Sequence, residues 1–355
     1  MKTTVLATAL LTFGLALPAT PSVVQGTPIS GTWRIRLQES WNWTRANGER
    51  WVNIQMRRND DRSFGMSVPL SELEGAGVRG ESWSGSGVTF TLKRDAGTID
   101  FRGSFDDGRG TGDFTFAPNS EFVRAMQTRE PSLSADDVLR LAIHDVSRSF
   151  IQSIEAQGYK GVDVDDLVKM RIHGVDADYI AAFRKAGYDK LTVDELIKTR
   201  IHGATPTFVQ DVRAAGFDKL SIDELVKMRI HGVTPQFIRE VREMGFKDAA
   251  LDDLVRMRIH GVSTEFVKEI RALGYTDVDI DDLVRMRIHG VTPQFIREMK
   301  ELGFGNVRRD DLVRFRIHGV TPEFVREVRT AGFKDMTADD LVDMSIHGRR
   351  WLKKR

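Results

Sequence analysis

Apolar and polar residues alternate with a period of two from Ile29 to about Pro118. This alternation predicts β-strands with one buried face and one solvated face. Turn-forming residues at Asn47-Gly48, Asp60-Asp61, 95–97 and 107–110 separate the runs. We expect about six to eight antiparallel strands that form a small barrel or sandwich. The alternating apolar positions are Trp33, Ile35, Leu37, Val52, Ile54, Met56, Val88, Phe90, Leu92, Ile99, Phe101, Phe105, Phe114 and Phe116.

Beyond this region the sequence repeats itself every 29 residues. All eight histidines follow that interval, with no insertion or deletion between them. A fixed period of this length predicts stacked helix-turn-helix units, because one such unit is too small to bury its own apolar face. The eight are His144, His173, His202, His231, His260, His289, His318 and His347.

The unit 221–249 carries start and stop signals for two helices. Ser221 and Glu224 have the spacing of a capping box, and Gly232 is placed to end the first helix. Thr234 and Pro235 are typical of the start of a second helix. Leu225, Met228 and Ile230 provide apolar positions on the first helix, and Phe237, Ile238 and Val241 provide them on the second.

The terminal units depart from this pattern. Asp145 stands in the first unit where later units have glycine, and Ala142 stands where inner units have arginine. Terminal repeats commonly differ in this way because they act as caps. The expected fold class is α+β multidomain, with a β-domain over 29–118, a linker over 119–131 and an all-α solenoid of about 7.5 repeats over 132–348.

The first 26 residues predict a secretory signal peptide, with Lys2, an apolar run from Val5 to Ala19 and then small or polar residues. An uncleaved anchor is the alternative. The chain has no cysteine, which excludes disulfides and thiol catalysis. These features predict a periplasmic or secreted protein, with no stable membrane span after cleavage. The basic tail 349–355 is interpreted as a soluble end, or alternatively as a contact with an acidic or envelope partner.

Charge and motifs argue against several functions. The 52 basic and 51 acidic residues give a net charge of +1, which does not favour nucleic-acid binding. No His-Glu-x-x-His or Gly-x-Ser-x-Gly motif occurs, and 108–112 is glycine-rich but joins strands. Histidines one repeat apart are too far from each other to share a metal ion. We therefore expect no cofactor, no metal, no catalytic residues and structural histidines, with metal binding or pH sensing as the alternative for the histidines.

A protein partner in the cell envelope is the leading hypothesis, because the chain combines a 29-residue repeat with a predicted secretion signal and lacks catalytic motifs. The second helices carry neighbouring charges of opposite sign, which suit a protein partner better than DNA or an anionic membrane. These residues are Arg239, Glu240, Lys268, Glu269, Arg297, Glu298, Arg326 and Glu327. Two alternatives remain: small-ligand binding by the β-domain with the solenoid as spacer, and a hydrolase that uses two carboxyl groups facing each other across a cleft in the β-domain.

The β-domain hypothesis starts from Gly31-Thr32-Trp33, which resembles the first strand of lipocalin- and avidin-like barrels. A barrel of that kind would enclose one small ligand. The tryptophans that would line its mouth are Trp41, Trp43, Trp51 and Trp83. Packing in the core or at the rim is the other interpretation of these four side chains.

The segment DDLVRMRIHGVTPQFIR, residues 281–297, resembles tandem repeats of acidobacterial envelope proteins. In that group the repeats often follow antirepressor-type membrane zinc metallopeptidases or β-rich domains. The resemblance covers the repeat region and implies an envelope setting and a modular, non-catalytic role. It does not extend to a peptidase domain.

Overall fold

The computed structural model describes residues 28–36, 50–58, 62–75 and 84–348. The predicted signal peptide, the basic tail, Leu37, Trp41, Trp43 and Trp83 lie outside these ranges. The described strands are β1 (Ile29–Arg36), β2 (Trp51–Arg58), β3 (Ser63–Pro69), β4 (Leu73–Glu74), β5 (Gly85–Arg94), β6 (Gly97–Asp106) and β7 (Arg109–Pro118).

These strands form one antiparallel sheet in the order β3-β2-β1-β7-β6-β5-β4. Its two edge strands, β3 and β4, are joined through a single 3₁₀ turn, Leu70–Glu72, so the sheet curls into a half-barrel. At the β6–β7 hairpin, Asp107 and Gly108 both have positive φ, as a tight two-residue turn requires. The expected α+β class and the antiparallel strands are therefore confirmed. No alternating run was predicted at Ser63–Pro69, where the structure forms strand β3.

Aromatic rings fill the buried face of the sheet. The Trp33 ring lies 5.2 Å from Phe90 and 5.5 Å from Phe105, measured between ring centroids. Its indole N–H donates to the Arg102 carbonyl at 3.2 Å. A Cβ at Gly103 would lie 2.8 Å from the Trp33 ring, so the ring occupies space that glycine leaves open. Side chains, rather than an open cavity, thus occupy this part of the half-barrel.

The segment 119–131, which was predicted to be a linker, contains a helix. Helix α1 (Ser120–Arg129) begins at Asn119, whose side chain accepts the Glu121 N–H at 3.0 Å. It buries Phe122, Val123 and Met126. Phe122 and Val123 are adjacent and Met126 follows one turn later, so the three side chains share one face of an amphipathic helix.

Fifteen further helices follow among the described residues. They are α2 (Ala135–Ile143), α3 (Arg148–Ala156), α4 (Val164–His173), α5 (Ala177–Lys185), α6 (Val193–His202), α7 (Pro206–Ala214), α8 (Ile222–Ile230), α9 (Pro235–Glu243), α10 (Leu251–Ile259), α11 (Thr264–Ala272), α12 (Ile280–Ile288), α13 (Pro293–Glu301), α14 (Arg309–Ile317), α15 (Pro322–Thr330) and α16 (Ala338–Asp343). A π-helical turn, Met344–Gly348, ends the described chain.

The predicted capping signals act where the sequence places them. Ser221 and Glu224 form a capping box at the start of α8. Gly232 ends α8 with φ of 69°, in the left-handed region that glycine adopts without strain. The Val233 N–H then donates to the Met228 carbonyl at 2.8 Å, which closes the helix end. Local chemistry therefore sets the boundaries of the first helix in this repeat.

The chain divides into two compact units between Asp178 and Tyr179, inside α5. In the first unit, charged pairs join the sheet to the first helices. Arg58 and Arg62 pair with Asp136 on α2. Asp95, in the β5–β6 turn, accepts the Arg148 backbone N–H and side-chain Nη2, each at 2.7 Å. Among the described residues, no helix has the length and apolar character needed to cross a membrane.

Candidate protein-binding surface of the helical repeats

In the second unit, the first helices of successive repeats pack against one another, from α6 through α16. The second helices of these repeats are α7, α9, α11, α13 and α15. Their apolar stripes are buried, as Phe237, Ile238 and Val241 of α9 illustrate. Each repeat therefore contributes one layer to a common core, as the 29-residue period predicts.

An arginine near the end of each inner first helix reaches back to the preceding repeat. Arg287 Nε lies 3.4 Å from the His260 carbonyl oxygen, and Arg287 Cζ lies 5.0 Å above the centre of the Phe266 ring. Arg316 makes the same two contacts with His289 and Phe295. Because the last carbonyls of a helix have no intrahelical donor, Arg287 and Arg316 each satisfy one of them in the neighbouring helix. We call this contact the arginine clamp.

A second clamp links the second helices. Arg271 donates to the Met244 carbonyl at 2.6 Å, and Arg329 donates to the Leu302 carbonyl at 2.6 Å. Arg271 Cζ also lies 5.0 Å from the centre of the Phe246 ring. Both helices of a repeat are thus capped at their C-terminal ends by cations from the next repeat, which favours the helix dipole.

The clamps explain two departures at the terminal repeats. Ala142 replaces the arginine in the first repeat, where no preceding repeat offers a carbonyl or a ring. In the last repeat Ser345 takes the arginine position and donates to the His318 carbonyl at 2.6 Å. The shorter side chain keeps the hydrogen bond and gives up the aromatic contact.

A column of exposed isoleucines is the feature that sequence reasoning missed. The residue before each histidine in the second unit is isoleucine, and its exposed fraction lies between 47% (Ile346) and 58% (Ile230). We call these six side chains the isoleucine ladder. In the first unit Ile172 is also 55% exposed, whereas Ile143 is buried. The ladder consists of Ile201, Ile230, Ile259, Ile288, Ile317 and Ile346.

Helix geometry accounts for this exposure. Ile222, Leu225, Val226 and Met228 are all buried on α8. Successive side chains of a helix are about 100° apart, so Ile230 projects roughly 115° from the mean direction of these four. The sequence marks Ile230 as an apolar position of the first helix, and the structure leaves it exposed, unlike Leu225 and Met228. Large apolar side chains are thus exposed at the same place in every repeat after the first, which makes the ladder a candidate interaction surface.

Charged pairs line one flank of the ladder. One turn before each of the first five isoleucines of the ladder, a lysine or arginine pairs with an aspartate of the next repeat. The side-chain nitrogen and the carboxylate oxygen lie 2.6 Å apart in the pair Lys227–Asp252, 2.7 Å apart in Arg256–Asp281 and 2.8 Å apart in Arg285–Asp310. Lys198–Asp223 and Arg314–Asp339 continue the line. Hydrogen bonding by Lys227 lowers the pKa of the Asp252 carboxyl below its ordinary value.

The histidines lie at the C-terminal caps of the first helices, directly after the isoleucines. In three inner repeats their backbone carbonyls accept the clamp arginine. Burial, followed in size by the charge of Arg140, lowers the pKa of the His144 imidazole. Within the described ranges, no three His, Asp or Glu side chains converge into a group that could hold a metal ion.

The predicted charges of the second helices lie on the solvent side of those helices. Arg239, Lys268, Arg297 and Arg326 are exposed, and the glutamates beside them are half-buried or exposed. Several already have partners: Gln236 donates to Glu240 at 2.8 Å, and Arg297 lies 3.8 Å from Glu269. These residues recur along the repeats, and their role as a binding surface stays a prediction.

Of the four tryptophans predicted to line a ligand mouth, Trp51 alone lies in the described ranges. It begins β2, opposite Pro69 of β3, and is half-buried. The glycine-rich segment 108–112 lies in the β6–β7 hairpin and in β7, as expected for strand-joining residues.

No protein-family profile matches this chain, and no curated protein matches it in a sequence search.

Proposed function

We propose that this chain is an exported, non-catalytic scaffold of the cell envelope that binds protein through the isoleucine ladder. The observation that carries the proposal is the ladder, in which six isoleucines remain 47–58% exposed while most of the other apolar positions of their helices are buried. The exposed half of each isoleucine gives the fold no packing benefit. A benefit arises when another protein covers the column.

The energetics fit a protein interface. Full burial of an isoleucine stabilises by about 1.5–3 kcal/mol, so covering a half-exposed one contributes roughly 1 kcal/mol. Burial of all six isoleucines, the rungs of the ladder, would therefore supply about 6 kcal/mol, which is comparable to the estimated free-energy cost of association. Neighbouring polar contacts would then determine the net affinity and the partner.

The ladder is a better binding core than the charged second helices. Exposed charges such as Arg239 stay hydrated, and a surface ion pair contributes about 0–1 kcal/mol. Charged residues are typically depleted from the centre of an interface and enriched at its rim. We therefore place Arg239, Lys268, Arg297 and Arg326 outside the contact that the ladder makes.

A non-catalytic role is consistent with how the carboxylates are used. In several repeats one acid caps its own helix, as Glu224 does, and another pairs with a cation of the preceding repeat, as Asp252 does. These carboxylates of the repeats have structural partners. A two-carboxylate hydrolase would instead need two carboxyl groups that face each other across a cleft of the β-domain.

Ligand binding by the β-domain is the second candidate function. It rests on the resemblance of Gly31-Thr32-Trp33 to ligand-binding barrels, but the Trp33, Phe90 and Phe105 rings occupy the buried face. Native mass spectrometry of the protein purified from its own cells tests it. A stoichiometric small molecule would favour this function over the scaffold.

Cross-linked capture from intact cell envelope tests the scaffold. The full chain serves as bait, beside an Ile259→Ser/Ile288→Ser variant and a matched Arg239→Ser/Arg297→Ser control. We expect one protein, either another molecule or the bait's own chain, to be recovered by the wild type and the control and lost by the isoleucine variant. Equal recovery by all three baits would contradict the proposal. Sequencing the mature N-terminus tests export independently.

A further inference from the structure

We propose that the occupant of the isoleucine ladder is a second copy of this chain, with the two ladders packed face to face. The inference rests on the proposed function, since it names the partner that the ladder binds. Three properties of the ladder favour a second copy: its spacing, its charge pattern and its area.

The spacing of the rungs follows the helical stack. Packed helices lie about 8–10 Å apart, and the first helices from α6 to α16 pack in sequence. A partner strand would present side chains on one face about every 6.8 Å and would lose register with the rungs. A second copy has the same 29-residue repeats without insertion. Its rungs therefore match over the whole ladder, whatever the exact spacing.

The charged flank is complementary to itself. Cations and carboxylates alternate along it, with Lys227–Asp252, Arg256–Asp281 and Arg285–Asp310 as its central pairs. A surface of alternating sign can place each charge opposite its counter-charge on a copy of itself. Nucleic acids and anionic lipid surfaces carry one sign of charge, so they would meet repulsion at every second group.

The apolar area fits a standard protein dimer. Six half-exposed isoleucines offer roughly 350 Å² of apolar surface. One partner's face in a standard interface covers about 800 Å², of which about 56–65% is apolar. The ladder thus provides most of the apolar area, and the alkyl parts of adjacent Lys227 or Arg256 side chains can supply more. A two-fold arrangement uses the same surface on both copies and closes at two subunits.

Sedimentation equilibrium of the full chain, from about 1 to 100 µM, tests the proposal. We expect the wild type to reach the dimer mass in this range. The Ile259→Asp/Ile288→Asp variant should remain monomeric, with at least a hundredfold weaker association. The Arg239→Asp/Arg297→Asp control should dimerise as the wild type does. Unchanged far-UV circular dichroism would show that the exposed substitutions leave the fold intact.

Single-cysteine variants locate the interface, because the chain has no cysteine of its own. Under oxidising conditions Ile288→Cys should form a covalent dimer if the ladders run parallel. A mixture of Ile259→Cys and Ile288→Cys should cross-link if they run antiparallel. Arg239→Cys should remain a monomer in either case.

A monomeric wild type, or a dimer that the aspartate variant forms equally well, would overturn the second-copy proposal. The scaffold would survive that result if envelope capture still depended on Ile259 and Ile288 and recovered a different protein. If capture also failed to depend on these residues, both proposals would fall. The two experiments therefore separate a wrong partner from a wrong function.

Discussion

The sheet and the helical repeats are stabilised in different ways. In the sheet, one ring, Trp33, contacts Phe90, Phe101 and Phe105 from two other strands and lies over Gly103. In the repeats, the clamp of Arg287 recurs in Arg316 with nearly the same distances. The sheet depends on a few contacts that occur once, whereas the repeats depend on many copies of a small contact.

This difference predicts how each region responds to damage. Loss of a unique core contact disturbs every strand that meets there, because strands distant in sequence share that core. Loss of one repeated contact affects two neighbouring repeats and leaves the others nearly unchanged. Four substitutions or conditions test this contrast, beginning with the largest expected effect.

Replacement of Trp33 by alanine should destabilise the first unit by about 3–5 kcal/mol, because it opens a large cavity in a packed core. We expect the near-UV circular dichroism of the sheet to collapse while most of the helical far-UV signal remains. Denaturant unfolding followed by both signals measures the effect. A loss below 1 kcal/mol would mean that Trp33 does not anchor the sheet.

A buried polar pair in the repeats should give the next largest effect. Tyr179 and Thr199 are hydrogen-bonded at 2.9 Å, where the equivalent pair in the next two repeats is phenylalanine with methionine. Thr199→Met should cost roughly 2 kcal/mol, because the longer side chain meets the Tyr179 hydroxyl and removes its partner.

The double variant Tyr179→Phe/Thr199→Met restores the pair found in the neighbouring repeats. We expect it to recover most of the lost stability, which urea unfolding of the single and double variants would measure as a coupling free energy. If the stability changes of the two single variants simply add in the double variant, the two positions are independent. The Phe–Met pair of one repeat could then not replace the Tyr–Thr pair of another.

Removal of one clamp should have a smaller effect. Arg287→Met should lower the free energy of unfolding by about 1 kcal/mol, since one capped carbonyl and one cation–π contact are lost. Hydrogen exchange should increase at the end of α10 and in α12 and stay unchanged in α6. Arg239→Met, at an exposed position, is the control and should stay within about 0.5 kcal/mol of the wild type.

Acid should lower the stability of both regions, because protonation of their carboxylates removes charge pairs. Hydrogen bonding from Arg148 lowers the pKa of Asp95, and hydrogen bonding from Lys227 lowers that of Asp252. A carboxyl with a lowered pKa in the folded state stabilises above its unfolded pKa of about 3.9 and loses that contribution as pH falls below it.

Thermal unfolding from about pH 6 to pH 3 measures this acid effect. Asp95→Asn should be less stable than the wild type at pH 6 and should approach it at pH 3. Parallel curves for the two proteins would mean that the Asp95–Arg148 pair does not contribute to the acid response.

The sequence by itself determined the repeat period, most helix ends and the alternating strands. Those features depend on chemistry within a few residues: Ser221 with Glu224 starts a helix, Gly232 ends it, and Asp107-Gly108 turns a hairpin. Such signals are complete in the local sequence. Their interpretation does not require knowledge of what the segment packs against.

Tertiary structure decided the remaining features, because they depend on residues brought together by stacking. The arginine clamp joins residues 27 positions apart. The segment 119–131 contains α1, and the Phe122 and Met126 side chains of this helix are buried against other parts of the protein. Ile230 was apolar and near the histidine, as a core residue would be, but the direction of the packed face left it exposed. Apolar character is a property of the residue, whereas burial depends on which side of the helix meets its neighbours.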